Sequence, residues 1–277
     1  MALPHWLHIA LIVVCTVNAV SSVAAVTLNG LIMFTIRKSP SLQKPAFVLL
    51  FALALNDFMT GFVVQPLFIW RMIERTGTGK LLKSIWVDKM EIVIRLSSIT
   101  ITVLLHTAVS FDRFLALHLK TRYRSIVTIK RSIAVCLLLW IGGTGTAVVG
   151  VFNKSGKFTE LTLIFVPICL LLTFIVFLAN SRKLVKQQKK VEELNSSGNK
   201  ENQTPFDLAR FGKILSSLKY AFGAFVVFYL PGVFIAIVNS ITPIRFRGAI
   251  LVGEVSSTIT LTNSAVNPLL YYWKVPG

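Results

Sequence analysis

The chain has 277 residues, of which 54% are hydrophobic and 14% charged, with a formal charge of +18. That charged share is well below the roughly 25% of an average soluble domain. The apolar residues lie in long blocks, which excludes an ordinary soluble protein and points to a multi-span membrane protein. The positive charge does not imply nucleic acid, because Lys and Arg gather between the apolar blocks, where membrane topology places them. Cys15, Cys136 and Cys169 all fall inside apolar runs, so buried thiols are expected rather than a disulfide framework.

The first span covers residues 7–36; it is too long for a cleaved leader and no Lys or Arg precedes it. Asn29 sits in its second half, and Arg37, Lys38 and Lys44 follow, with Pro40 and Pro45 as breakers. The second span, 45–70, carries Asn56-Asp57 near its middle and Pro66 further on. A carboxylate at mid-membrane must face the bundle interior. Residues 71–83 read as a polar loop.

The third span, 86–119, organises the rest. It holds Glu91, Arg95 and His106 and ends in Ser110-Phe111-Asp112-Arg113-Phe114. On one helix, Arg95 and Arg113 lie about 27 Å apart at ~1.5 Å per residue, close to a hydrocarbon thickness of about 30 Å. One helix thus has a cation near each membrane face. Arg95 is read as part of a ligand chamber and Arg113 as part of a cytoplasmic switch. His106 is either a group that loosens the resting packing or a histidine bonded to a neighbouring helix.

A basic connection, 118–130, leads to the fourth span, 131–151, with Trp140 and with Gly142, Gly143 and Gly145, which are expected to let backbones approach closely. The fifth span, 161–180, contains Pro167. Residues 181–203 form a flexible cytoplasmic loop, either partly disordered or a helical extension. Thr204-Pro205-Phe206-Asp207 has a cap, a first-turn Pro and a first-turn acid, so the sixth span starts there and runs through 206–238, broken by Pro231. The seventh, 249–273, carries Glu254, Asn263, Ser264, Asn267 and Pro268. The predicted fold is an all-α bundle of seven transmembrane helices. One side holds roughly twice as many Lys and Arg as the other, which puts the N-terminus outside and the C-terminus in the cytoplasm. Asn153-Lys154-Ser155 is a glycosylation sequon on the predicted outer side.

With these positions placed, the chain resembles the rhodopsin-like (class A) family of G-protein-coupled receptors over nearly its whole length. The residues that carry the resemblance occur in the family's order, one set per span. They are Asn29; Leu53-Ala54-Leu55-Asn56-Asp57; Asp112-Arg113-Phe114; Trp140; Pro167; Phe225 with Phe228-Tyr229-Leu230-Pro231; and Asn267-Pro268-Leu269-Leu270-Tyr271. The resemblance implies a plasma-membrane receptor that passes an extracellular small-molecule or peptide signal to a heterotrimeric G protein. In such a receptor Asp112, Arg113 and Tyr271 form the switch, with Arg113 resting on Asp112. Pro231, Asn267 and Pro268 serve as hinges. Asp57, Ser98, Thr102, Asn263, Ser264 and Asn267 match the family's mid-membrane sodium site, with a hydrogen-bonded network lacking an ion as the alternative.

The chain also departs from the family. Tyr229 stands where the family has Trp, Phe114 where it has Tyr, and Ile175 where a Tyr would meet the released Arg. Phe211 replaces a locking Glu, and Asp88 replaces the cysteine of an outer disulfide, which is therefore not expected. Only Tyr272 to Gly277 follow the last motif, as in an orphan member cut short after the seventh helix. Arg95 disfavours an ammonium ligand, and Leu261 removes the lysine a visual pigment needs. The ligand chamber is assigned to Glu91, Arg95, Phe228, Tyr229 and Glu254. Arg95 there favours an acidic ligand group, or pairs with Glu91 one turn away. No nucleophile–base pair or metal cluster suggests an enzyme. The rival readings are a non-signalling seven-helix scaffold and an ion transporter.

Overall fold

The computed structural model describes residues 5–75, 85–119, 122–153, 157–196, 223–224, 226–235, 237–238 and 247–272. Among them there is no strand. The helices are α1 (His5–Lys38), α2 (Pro45–Met59), α3 (Gln65–Arg75), α4 (Ile85–Leu119), α5 (Tyr123–Ile126), α6 (Ile129–Phe152), α7 (Lys157–Ser196), α8 (Val226–Ile235) and α9 (Arg247–Tyr272). Among the described residues, four stretches are long and apolar enough to cross a membrane: His5–Lys38, Pro45–Glu74, Trp86–Leu119 and Ile129–Phe152.

Local sequence explains the breaks. After α1, Ser39 is extended and Pro40 starts a single 3-10 turn. Lys44 is extended and Pro45 opens α2, where its missing N–H would have had no intrahelical partner. Thr128 caps α6, its hydroxyl accepting from the Arg131 N–H. Between α2 and α3 the helix widens into a π segment, Thr60–Val64, where the Gln65 N–H reaches Thr60 O. This segment ends one residue before the Gln65-Pro66 pair, whose Pro cannot donate to the ladder. A wide turn of this kind absorbs such a defect without breaking the helix.

The packing inverts that of a soluble protein. Asn18, Asp57 and Gln65 are completely buried, while Val20, Leu138 and Ile141 are 67–69% exposed. Polar groups inside and apolar groups outside suit hydrocarbon surroundings, where an unsatisfied polar group costs several kcal/mol.

α4 packs against α2, α6 and α7, and α1 packs against α2 and α9. One apolar cluster joins Leu11 and Val14 of α1 to Phe68 and Met72 of α3. Another joins Leu49 and Leu53 of α2 to Ile101 and Leu105 of α4 and Cys136 of α6. A third sets Val103, Cys169 and Tyr229 together. The cysteines are free.

Close approach falls on particular glycines. A Cβ on Gly61 would lie 2.8 Å from Ser22 O, and one on Gly143 would lie 2.7 Å from Ile101 Cγ1. Gly142 and Gly145 face open space, so only the middle glycine of the predicted set brings α6 against α4.

Residues 181–196 take the helical-extension alternative and continue α7. Their Lys, Gln, Glu and Leu content favours helix once the preceding turns have nucleated it. One expectation needs correction: Arg71, assigned to a polar loop, lies within α3 and is only 6% exposed. The loop reading failed because ion-pair partners from other helices solvate it, as described next.

Candidate ligand chamber and switch

Four charged side chains meet at the Trp86 end of α4. Arg71 Nη1 lies 2.8 Å from Glu91 Oε2, and Arg95 Nε donates to Glu91 Oε1 at 2.8 Å. Arg71 Nη2 reaches both oxygens of Glu254, at 2.9 and 3.1 Å. Arg95 Nη1 also donates to Ser257 Oγ at 3.0 Å. Both guanidinium carbons sit 5.8 Å from the centre of the Phe68 ring, within reach of its π face. Two cations and two anions from α3, α4 and α9 therefore form a neutral buried lattice. Breaking one pair in such a lattice leaves an uncompensated charge.

A second polar layer follows. Gln65 Nε2 donates to Ser21 Oγ at 2.7 Å, and Asn18 Nδ2 donates to Thr258 Oγ1 at 2.9 Å. These contacts tie α1, α3 and α9 together just below the charges.

The third layer surrounds Asp57. Asn267 Nδ2 donates to Asp57 Oδ2 at 2.8 Å, and Ser264 lies beside the same carboxylate. Asn29 Nδ2 donates to Ser264 O at 3.0 Å. Asn56 Nδ2 donates to Thr102 Oγ1 at 2.7 Å and to Ser98 O at 3.1 Å, and Thr60 meets the Ser98 hydroxyl. The six predicted cation ligands are all buried. They nevertheless divide, with Ser264 and Asn267 serving Asp57 while Ser98 and Thr102 serve Asn56 and Thr60. Asp57 Oδ1 is buried and makes no hydrogen bond. A carboxylate oxygen of this kind among hydroxyl and amide oxygens is the chemistry a hard cation takes, although Asn267 here turns its nitrogen to Asp57. His106 Nδ1 lies 3.0 Å from Thr102 O.

Tyr229 is buried, with its hydroxyl close to the Thr102 and Asn263 side chains. The predicted chamber therefore separates into two levels. Glu91, Arg95 and Glu254 meet in the charged lattice, while Tyr229 and Phe228 sit at the level of Thr102. That is seven residues along α4 from Arg95, or about 10 Å at ~1.5 Å per residue. Phe228 is half-buried, and its carbonyl accepts from Thr260 Oγ1 at 3.1 Å. Pro231 lies within α8, and Pro268 is buried within α9.

At the Arg113 end, Asp112 is buried and accepts from the Tyr123 hydroxyl at 2.6 Å. Among the described residues Asp112 makes no ion pair with Arg113, contrary to expectation. Neighbours on a helix point about 100° apart and do not face each other. Burial, reinforced by the Asp112 carboxylate, pushes the Tyr123 hydroxyl up from its ordinary range. Phe114 stacks on His118 with ring centres 3.9 Å apart. Ile175 faces outward, 52% exposed, so it offers nothing to Arg113. The Tyr271 backbone is helical, but its side chain, Phe211 and Phe225 lie outside the described residues. Asn153 caps the end of α6 and is exposed. The rest of its sequon is outside the described residues.

Sequence reasoning missed Arg71, Asn18, Gln65 and Tyr123. For the polar residues within spans a signal existed, since a polar side chain there needs a partner inside the bundle. Tyr123 offered none, because a phenol in a basic loop is ordinary.

Residues 28–160 match the family described as 7 transmembrane receptor (rhodopsin family). The chain is 22% identical to the adenosine receptor A3 of Canis lupus familiaris, across 94% of this chain and 86% of that protein. It is 24% identical to the adenosine receptor A3 of Bos taurus, across 94% and 85%. A segment covering 46% of the receptor is 28% identical to the Ovis aries protein of the same name.

Proposed function

We propose that this receptor sits in the plasma membrane with seven spans, its N-terminus outside and the Arg113 end in the cytoplasm. It binds an extracellular ligand at the Trp86 end and activates a heterotrimeric G protein at the other. The supporting observation is the chain of buried polar layers along the bundle interior, from Arg71 and Glu254 through Asp57 and Asn267 to Asp112. A bundle held by apolar contacts alone would have little to sense. Buried polar layers with partners on different helices can rest in two arrangements, and a ligand favours one by binding it better.

In this reading the ligand acts on Arg95 and Glu254, and Tyr229 and Pro231 carry the shift to the next helix. Arg113 is then free to meet the G protein, and Tyr123 holds Asp112 at rest. Lys and Arg between the third and fourth spans, and along the end of α7, would face the G protein and anionic lipid. Sodium at Asp57 would favour the resting arrangement. Arg113→Ala, compared with wild type at equal surface expression, should abolish agonist-stimulated nucleotide exchange on a panel of G proteins. Unchanged exchange rejects the switch. Adenosine, which the relatives' names carry, is run beside acidic ligands as a comparison, since it lacks the acidic group that Arg95 favours.

A further inference from the structure

We infer that Arg71 and Arg95 form a carboxylate clamp that the receptor fills with its own Glu91, and that its ligand is a monocarboxylate with an apolar body. This rests on reading the Trp86 end as the ligand chamber. The two oxygens of Glu91 face different guanidiniums, both at 2.8 Å: Oε1 accepts a hydrogen bond from Arg95, while Oε2 meets Arg71 as an ion pair only. A carboxylate between two planar cations is the arrangement guanidinium chemistry favours for an acidic ligand. Here the acid arrives on the same helix as Arg95, so the site is occupied from within.

Three further observations specify the ligand. Arg71 and Glu91 both line a cleft of about 290 Å³ between α3 and α4, so the Arg71 side of the clamp opens into it. The remaining walls are largely apolar, with Leu67, Trp70, Trp86 and Ile94 among them. At ~30 Å³ each, a cleft of this size holds roughly ten groups as large as a water or methylene. Glu74 and Asp88 also line it, and the buried Glu74 Oε1 has no hydrogen-bond partner among the described residues. A second negative charge on the ligand body would meet these acids, which selects one acidic head on an uncharged tail. Arg71 Nε is buried and donates to no atom among the described residues, leaving a donor for the incoming head.

The ligand therefore competes with Glu91. Its carboxylate takes the place between the arginines and its body fills the cleft, while Glu254 stays on Arg71. Because one carboxylate replaces another, the lattice keeps its charge balance at the clamp, and the displaced Glu91 is the group that moves.

The test is thermal unfolding of the purified receptor in sodium octanoate, octanol, disodium suberate or matched sodium chloride. Glu91→Ala empties the clamp. Its melting temperature should rise by a few degrees with octanoate and not with octanol or chloride, with suberate weaker than octanoate. Wild type should need about tenfold more octanoate for the same shift, because Glu91 must first be displaced. Adding Arg71→Met to Glu91→Ala should remove the shift. Glu91→Ser is run beside Glu91→Ala, and a variant that folds in octanoate but not in chloride counts as support. If neither variant shows carboxylate dependence in folded yield or melting temperature, or octanol acts as well as octanoate, the inference is overturned. The readout needs no G protein. A clamp that binds octanoate in a chain that activates no G protein would overturn the signalling reading alone.

Discussion

Arg71 is the residue whose removal the structure makes most expensive. It touches both acids of the lattice, Glu91 at 2.8 Å and Glu254 at 2.9 and 3.1 Å, and it is 6% exposed. Each pair is worth about 4 kcal/mol at an effective dielectric of ~20. Desolvation offsets most of that gain, several kcal/mol per ion. Arg71→Met removes the gain and leaves two buried carboxylates facing one guanidinium. The expected loss is about 3–5 kcal/mol, the range for breaking a buried pair from one side. At roughly 2–4 °C per kcal/mol, that lowers the melting temperature by ~6–20 °C. Arg71→Met with Glu254→Gln removes one charge of each sign and leaves the Glu91–Arg95 pair intact, so the loss falls to about 1–2 kcal/mol. The assay is a double-mutant cycle in thermal unfolding of the detergent-solubilised receptor. A double variant less stable than Arg71→Met, with effects that simply add, would show that the lattice is not coupled and refute the reasoning.

Three other outcomes follow from particular contacts. Tyr123→Phe deletes the hydrogen bond to Asp112 and should cost about 1 kcal/mol while raising basal nucleotide exchange; unaltered basal exchange would show that the bond does not hold the resting state. Because the Tyr123 hydroxyl titrates above its ordinary value of 10.0, its contribution should be constant below about pH 10 and be lost as pH rises above it. The check is the wild-type minus Tyr123→Phe difference in melting temperature against pH. Gly61→Ala places a Cβ 2.8 Å from a backbone oxygen and should cost ~1–3 kcal/mol, whereas Gly142→Ala meets nothing and should be neutral or slightly stabilising. Melting temperatures of the two variants decide this. Asp57→Asn should remove any rise in melting temperature on exchanging choline chloride for sodium chloride; a sodium effect that survives places the ion elsewhere.

Much of the site was legible because a membrane makes buried polarity conspicuous. Asp57, Arg95 and Asn267 stand out in apolar runs, and each proves to have a partner on another helix or one turn away. The Glu91–Arg95 pair could be read from its spacing, since residues four apart share a helix face. Arg71 could not be read, because its place after Trp70 at the end of an apolar run looks the same for a loop residue and a buried hub. The Asp112–Arg113 expectation came from adjacency in sequence, whereas the contact that forms depends on Tyr123 folding back under α4. Nor could spacing separate Tyr229 from the charged lattice, because their heights depend on how α8 lies against α4.

By itself, the sequence determined the helical class, the membrane environment and which side chains must find partners inside. Those follow from composition, from period and from the cost of an unsatisfied polar group in hydrocarbon. Only the tertiary structure decided which partner each one takes. A single carboxylate such as Glu91 can satisfy its own helix neighbour, an arginine across the bundle, or both. The choice belongs to the distances between helices, which no single segment encodes.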